Sequence, residues 1–97
     1  MATYITLMNL TAQGLSTVKD SVKRAEAAKK AATQAGVTIK EVLWTQGKYD
    51  VVVISEAPDD ASATAMVLNI AKQGNVHTQM LRAFTATEME KILAKVA

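Results

Sequence analysis

The sequence predicts an α+β fold in which two helices cover one face of a four-stranded antiparallel sheet. Three observations support this: segments alternate in the order strand, helix, strand, strand, helix, strand; the two middle strands form a hairpin; and a short helix follows the last strand. Two such halves make the split βαββαβ arrangement of ferredoxin-like domains. Right-handed crossovers then place both long helices on one face of the sheet.

The strands are predicted from apolar residues that alternate or run without interruption. In the first strand Ile5 and Leu7 lie on one face and Tyr4, Thr6 and Met8 on the other. The third strand is apolar at four consecutive positions, as a strand covered on both faces is expected to be. The predicted strands cover residues 3–10, 37–46, 49–56 and 76–84, and residues 11–14 are predicted to form a turn.

Two long helices are predicted over residues 15–35 and 61–73 from apolar residues at helical spacing. In the first, Asp20 and Arg24 are four positions apart, which offers an ion pair of about 0.2–0.5 kcal/mol. Thr87, followed three positions later by Glu90, predicts a capping box that begins a C-terminal helix. The alanines of the first helix are expected to let it approach the sheet closely. Its predicted apolar face comprises Leu15, Val18, Val22, Ala25 and Ala32.

Composition excludes several classes of function. The 97 residues fit one domain, residues 1–97. Eleven Lys and Arg against nine Asp and Glu leave a net charge of +2, too small an excess to indicate a nucleic-acid partner. Without cysteine there is no disulfide or thiolate metal site, and the single histidine rules out a multi-histidine metal site within one chain. We therefore expect neither a metal nor a cofactor.

No apolar stretch reaches the length of a membrane span. The first residues carry no basic region ahead of a long apolar segment, so they do not resemble a signal peptide. The expectation is a cytoplasmic protein with no membrane partner.

The second face of the predicted sheet indicates self-association. The two helices cover one face only, and the other is expected to carry Tyr4, Thr6 and Met8 from the first strand with Val42 and Trp44 from the second. A monomer rarely exposes such an apolar patch. We expect a homo-oligomer, at least a dimer, whose sheets pack face to face. The alternative is that the C-terminal helix folds over this face.

Residues 45–52, which contain Gly47, Tyr49 and Asp50, resemble the signature of the GYD-domain family. The similarity continues through residues 56–60, 74–76 and 81–85, and it includes Gly14 near the start. The resemblance implies a dimeric α+β barrel built from ferredoxin-like subunits. That superfamily includes ligand-sensing domains and small cofactor-free oxygenases, but the GYD family has no established activity to transfer.

The candidate site residues support two hypotheses of different classes. The leading one is an oligomeric small-molecule-binding module without established catalysis, in which a small organic ligand lies between the sheets. The alternative is a cofactor-free oxygenase or isomerase in that cavity, with His77, Asp50 or Tyr49 as catalytic candidates. A third possibility is a purely structural oligomer. The candidate ligand-binding residues are Tyr4, Met8, Trp44, Gly47, Tyr49, Asp50 and Arg82.

Each candidate also has an ordinary structural interpretation. Gly47, Tyr49 and Asp50 fit a hairpin turn and the start of a strand. The aromatic residues fit the core of an interface. Arg82 fits either a bidentate contact with a ligand carboxylate or a salt bridge to a neighbouring acid.

Overall fold

The chain folds into a four-stranded sheet with two long helices on one face, and the computed structural model describes all 97 residues. All strand pairs are antiparallel and the strand order is β2-β3-β1-β4. The predicted α+β, ferredoxin-like architecture is confirmed. Its elements are β1 Ala2–Leu10, α1 Ala12–Ser16, a 3₁₀ turn Val18–Asp20, α2 Ser21–Gln34, β2 Thr38–Trp44, β3 Val51–Ala57, α3 Asp60–Ala71, β4 Val76–Ala83 and α4 Ala86–Leu93.

The prediction of one unbroken first helix is wrong. Thr11 caps a short α1 by accepting a hydrogen bond from the backbone N–H of Gly14, so the predicted turn is a helix. This helix ends at Ser16 because the hydroxyls of Ser16 and Thr17 donate to the backbone carbonyl of Gln13. Such local side-chain bonds compete with the helical hydrogen bonds. A 3₁₀ turn then leads into α2.

The predicted apolar face of the first helical region is wrong at its first three residues and correct at its two alanines. Helical spacing predicts Leu15, Val18 and Val22 on the buried face, but all three are exposed. The two alanines of the predicted face lie in α2 beyond the 3₁₀ turn, and there Ala25 is half-buried on the side towards the sheet. Ala32, near the end of α2, is buried against it.

The C-terminal helix begins with a different capping box from the predicted one. Thr85, not Thr87, is the cap residue: its hydroxyl accepts from the backbone N–H of Glu88 at 3.2 Å, and the Glu88 carboxylate accepts from the Thr85 N–H at 3.0 Å. Both pairs fit the same sequence pattern. The structure selects Thr85 because its backbone is extended, as an N-cap requires.

The two faces of the sheet are the reverse of the prediction. Tyr4, Thr6 and Met8 lie under the helices and are at most 4% exposed. In β2, a register shift between Ile39 and Glu41 leaves Val42 and Trp44 opposite Val53 and Val51, on the same covered face. Alternation divides the residues of a strand into two sets, but it does not decide which set the helices cover.

The uncovered side, called the open face here, is itself apolar. It is formed by Ile5, Leu7, Val52, Ile54 and Leu81, none of which is fully buried. The alternative in which the C-terminal helix folds over this face is not observed, since Met89 and Leu93 of α4 are exposed.

Candidate functional site

A cleft lies between α2, α3 and the covered face of the sheet, and we call it the α2–α3 cleft. Its volume is about 350 Å³ and most of its lining residues are hydrophobic. The sheet supplies its floor, where Met8, Val51 and Val53 form a small buried cluster. Ile70 of α3 packs against this cluster. The remaining floor and wall residues include Leu10, Ile39, Val42, Trp44, Met66 and Val76.

The alanine stripe of α2 is the physical reason that this cleft exists. Ala25, Ala28, Ala32 and Ala35 recur at spacings of three and four, so their methyl groups project from one side of the helix. A methyl group leaves unfilled the space that a leucine would occupy. The sequence predicts that these alanines bring helix and sheet together, but close packing is reached only near Ala32.

Arg24 is the one charged residue in the lining of the α2–α3 cleft. Its guanidinium donates to the carbonyl oxygen and the hydroxyl of Thr17 at 2.9 and 3.0 Å. Longer bonds of 3.4 Å reach the Gly14 carbonyl and the Ser21 hydroxyl. The predicted pair with Asp20 does not form, because Asp20 belongs to the 3₁₀ turn and Arg24 points towards Thr17.

Two of the predicted ligand-binding residues, Met8 and Trp44, line this cleft. Met8 is buried in the floor and Trp44 is partly exposed at the end of β2. The sequence predicts both in a cavity between two sheets, whereas the structure places them between sheet and helices.

Tyr4 and Arg82 lie together, away from the cleft. The Tyr4 hydroxyl donates to the carboxylate of Asp60, and this bond is the main reason that the pKa of Tyr4 lies above its usual 10.0. The Arg82 guanidinium lies 5.6 Å from the centre of the Tyr4 ring and 4.5 Å from that of Phe84. It also forms a salt bridge of 3.4 Å with Glu88. Of the two interpretations that the sequence offers for Arg82, the structure shows the salt bridge to a neighbouring acid.

Gly47, Tyr49 and Asp50 have the geometry of a hairpin connection. Gly47 has φ of +103°, a conformation that favours glycine. The Asp50 carboxylate accepts from the backbone N–H of Leu10 at 2.8 Å, which fastens the turn to β1. The Tyr49 hydroxyl donates to the side-chain oxygen of Gln79 at 3.1 Å.

His77 is exposed on β4 opposite Asn9, on the side of the sheet away from the α2–α3 cleft. The three catalytic candidates, His77, Tyr49 and Asp50, are therefore not brought together around this cleft. The structure contains no group of three or more His, Cys, Asp or Glu side chains arranged to hold a metal ion. None of its helices combines the length and the apolar character needed to cross a bilayer.

Sequence reasoning missed Arg24 and the alanine stripe as site residues. The signal was present, since alanines recur with helical spacing between residues 25 and 35. Whether these alanines pack against the sheet or line a cleft depends on how far α2 lies from the sheet, and no local pattern predicts that distance.

The sheet order and its two covering helices define a ferredoxin-like domain, and comparison with known sequences identifies the family within that class. The GYD domain profile matches residues 4–93. The chain belongs to the GYD domain family, which confirms the resemblance found in the sequence.

A curated protein and a solved structure, both from Thermus thermophilus, are similar to this chain. One, named glutamine synthetase and cystathionine beta-lyase binding protein, is 31% identical over 90 residues, which span 92% of this chain and 95% of that protein. The other is the crystal structure of TTHA0845, with a TM-score of 0.58 and 24% identity, covering 89% of this chain and 96% of that one. This second likeness concerns the fold.

Proposed function

We propose that this protein is a binding module that takes a small, largely apolar organic molecule into the α2–α3 cleft and carries out no catalysis there. The observation that carries the proposal is the cleft itself, with its apolar floor and alanine wall. A volume of about 350 Å³ lies at the lower end of the range for small-molecule sites, roughly 300–1,000 Å³.

The cofactor-free oxygenase or isomerase has less support. A general base must reach the proton that it removes, within about 3 Å or through one water. His77 lies on the open face, but the Tyr49 hydroxyl is bonded to Gln79 and the Asp50 carboxylate accepts from the backbone N–H of Leu10, so both of these groups already have structural partners. The proposal therefore gives no residue a catalytic role.

The proposal includes self-association through the open face. Ile5, Leu7, Val52 and Ile54 make the two central strands apolar on this side, and monomers rarely expose apolar patches larger than a few hundred Å². A second copy matches such a surface, because a two-fold axis pairs the same patch on both subunits. We place the assembled protein in the cytoplasm, as expected from the sequence.

The name of the relative from Thermus thermophilus supports a binding role in a general way. That protein is named for binding two enzymes. For the present chain the proposal commits to a second copy on the open face, and an enzyme partner on that face is the competing outcome.

Trp44 provides a direct test of the cleft. It is the only tryptophan in the chain and it lines the cleft, so its fluorescence should respond when the cleft fills. Titration with octanol is expected to change Trp44 emission and raise the thermal midpoint, as ligands that bind the native state do. Ala28→Leu should abolish both effects by filling the cleft. Ala65→Leu, at an exposed position of α3 outside the lining, is the matched control.

An unchanged response in Ala28→Leu would overturn the assignment of the cleft. Native mass spectrometry of the purified protein complements the titration, since a retained ligand would add a reproducible mass to each subunit that denaturation removes.

Sedimentation velocity tests the open face. Wild-type protein should sediment as a dimer or larger, and Ile54→Lys should dissociate it by placing a charge in the middle of the apolar surface. Leu68→Lys, on an exposed position of α3, should leave the assembly intact. A monomeric wild type would contradict self-association.

A further inference from the structure

Arg24 carries a positive charge that no acidic side chain of the chain neutralises. The salt bridges of the structure join Lys29 to Glu26, Lys40 to Glu56 and Arg82 to Glu88, and none includes Arg24. All of the groups that accept hydrogen bonds from Arg24 are carbonyl or hydroxyl oxygens, which bear no net charge.

The same hydrogen bonds fix the position of the guanidinium, and Arg24 is among the residues that line the α2–α3 cleft. Two bonds to Thr17 hold Arg24 against the turn that precedes α2, and Ser21, one helical turn before it, lines the cleft as well. A ligand anion would therefore meet a charge already oriented by the protein. Orientation in advance lowers the entropic cost of binding.

The rest of the lining determines what else such a ligand must be. The wall near Arg24 consists of alanine methyl groups, and the floor is formed by Met8, Val51 and Val53. The other polar lining residues, Ser21, Asn69, Gln73 and Asn75, are neutral. A small inorganic anion would leave the apolar wall and floor unfilled. A wholly apolar molecule would leave the charge of Arg24 without a partner.

We propose that the α2–α3 cleft is selective for amphipathic organic anions, with the ligand's carboxylate on Arg24 and its apolar body against the alanine stripe. The inference rests on the proposed small-molecule function and adds the class of ligand. Four of the five N–H groups of Arg24 already donate to protein oxygens, and the fifth, at Nε, makes no hydrogen bond within the chain. This N–H can form one charge-assisted hydrogen bond with a carboxylate, and the guanidinium keeps its charge at every physiological pH.

Three probes of equal chain length test the charge preference: octanoate, octanol and octylamine, compared at neutral pH and constant salt through Trp44 fluorescence and calorimetry. We expect octanoate to bind about tenfold more tightly than octanol, the difference that one charge-assisted hydrogen bond supplies. Octylammonium should bind more weakly than octanol because its charge repels Arg24.

Substitution of Arg24 assigns the preference to this residue. Arg24→Gln should make the affinities for octanoate and octanol equal, whereas Arg24→Lys should keep part of the preference because the charge remains. Lys23→Gln removes one positive charge from a neighbouring exposed position of the same helix and should leave the tenfold preference unchanged. Circular dichroism and the thermal midpoint establish that each variant is folded.

The possible results separate this inference from the proposed function. If the three probes bind with equal affinity and Ala28→Leu abolishes their binding, the cleft is a binding site and the charge selectivity is wrong. A preference for octanoate that Lys23→Gln removes as effectively as Arg24→Gln would also overturn the role of Arg24. If no probe binds, both the proposed function and this inference fail.

Discussion

The hydroxyl of Tyr4 on β1 donates a hydrogen bond to the carboxylate of Asp60 at the start of α3. The two residues are 56 positions apart in the chain, and the bond joins the central strand to the helix that covers it. The Tyr4 ring belongs to the main core cluster, and the Arg82 guanidinium lies over the ring. The contact gives the Tyr4 hydroxyl a hydrogen-bond partner on the covered face of the sheet.

Tyr4→Phe is expected to lower the stability of the protein while it keeps the packing of the ring. The hydrogen bond raises the pKa of Tyr4 above 10.0, so the folded state holds this proton more tightly than the unfolded chain. The stability that this hydrogen bond contributes is present below pH 10.0 and decreases as the pH rises through the pKa of Tyr4 in the folded state. Urea unfolding at neutral and alkaline pH should therefore show a steeper alkaline loss for wild type than for Tyr4→Phe. Parallel losses would contradict this role of the hydroxyl.

Stability should also decrease in acid, because two helix caps depend on carboxylates. The backbone N–H of Ser62 holds the pKa of Asp59 below its usual 3.8, and that of Thr85 holds the pKa of Glu88 below its usual 4.5. Each contribution is present above the ordinary pKa and is lost as the pH falls through the lower folded value.

Asp59→Asn provides the comparison. Asparagine caps helices nearly as well as aspartate but does not titrate, so this variant should lose less stability than wild type between neutral pH and about pH 3. Urea midpoints at several pH values measure the difference. Identical pH profiles would show that the Asp59 cap does not contribute to acid sensitivity.

Two hydroxyls in the core have no hydrogen-bond partner, those of Thr6 and Ser55, and both residues are fully buried. An unpaired buried hydroxyl costs about 1–3 kcal/mol. Thr6→Val and Ser55→Ala should therefore each raise the free energy of unfolding by about 1 kcal/mol, as measured in urea. Thr3→Val, on the opposite side of β1, is the control. A loss of stability in both core variants would indicate that a buried water bonds these hydroxyls.

Gly14→Ala should destabilise the protein more than Gly47→Ala does, although Gly14 has ordinary helical geometry. A Cβ at Gly14 would overlap the carbonyl oxygen of Asn75, which is backbone and cannot move aside as a flexible side chain can. We expect a loss of about 2–3 kcal/mol from this overlap. At Gly47 an added Cβ would meet no atom within 4 Å, so only the positive φ opposes the substitution, at a cost of about 1 kcal/mol. Urea unfolding measures both; the opposite order would contradict the close packing at Gly14.

Part of the candidate site could be predicted from the sequence. Met8 and Trp44 are predicted as ligand-binding residues and they do line a cleft, although on the other side of the sheet from the predicted cavity. The spacing of Arg24 and Asp20 predicts an ion pair between them. The 3₁₀ turn and the hydrogen bonds to Thr17 redirect Arg24, and spacing along an assumed helix carries no information about such a break.

The sequence by itself determined the order of the four strands and the two long helices, the antiparallel α+β architecture and the family, because these depend on local periodicity and on motifs that are contiguous in the chain. Only the tertiary structure decided which face of β1 the helices cover and whether the alanines of α2 close against the sheet or leave a cleft. Both outcomes depend on contacts between distant segments, such as Tyr4 with Asp60. No pattern within a single strand or helix specifies the distance to its neighbour.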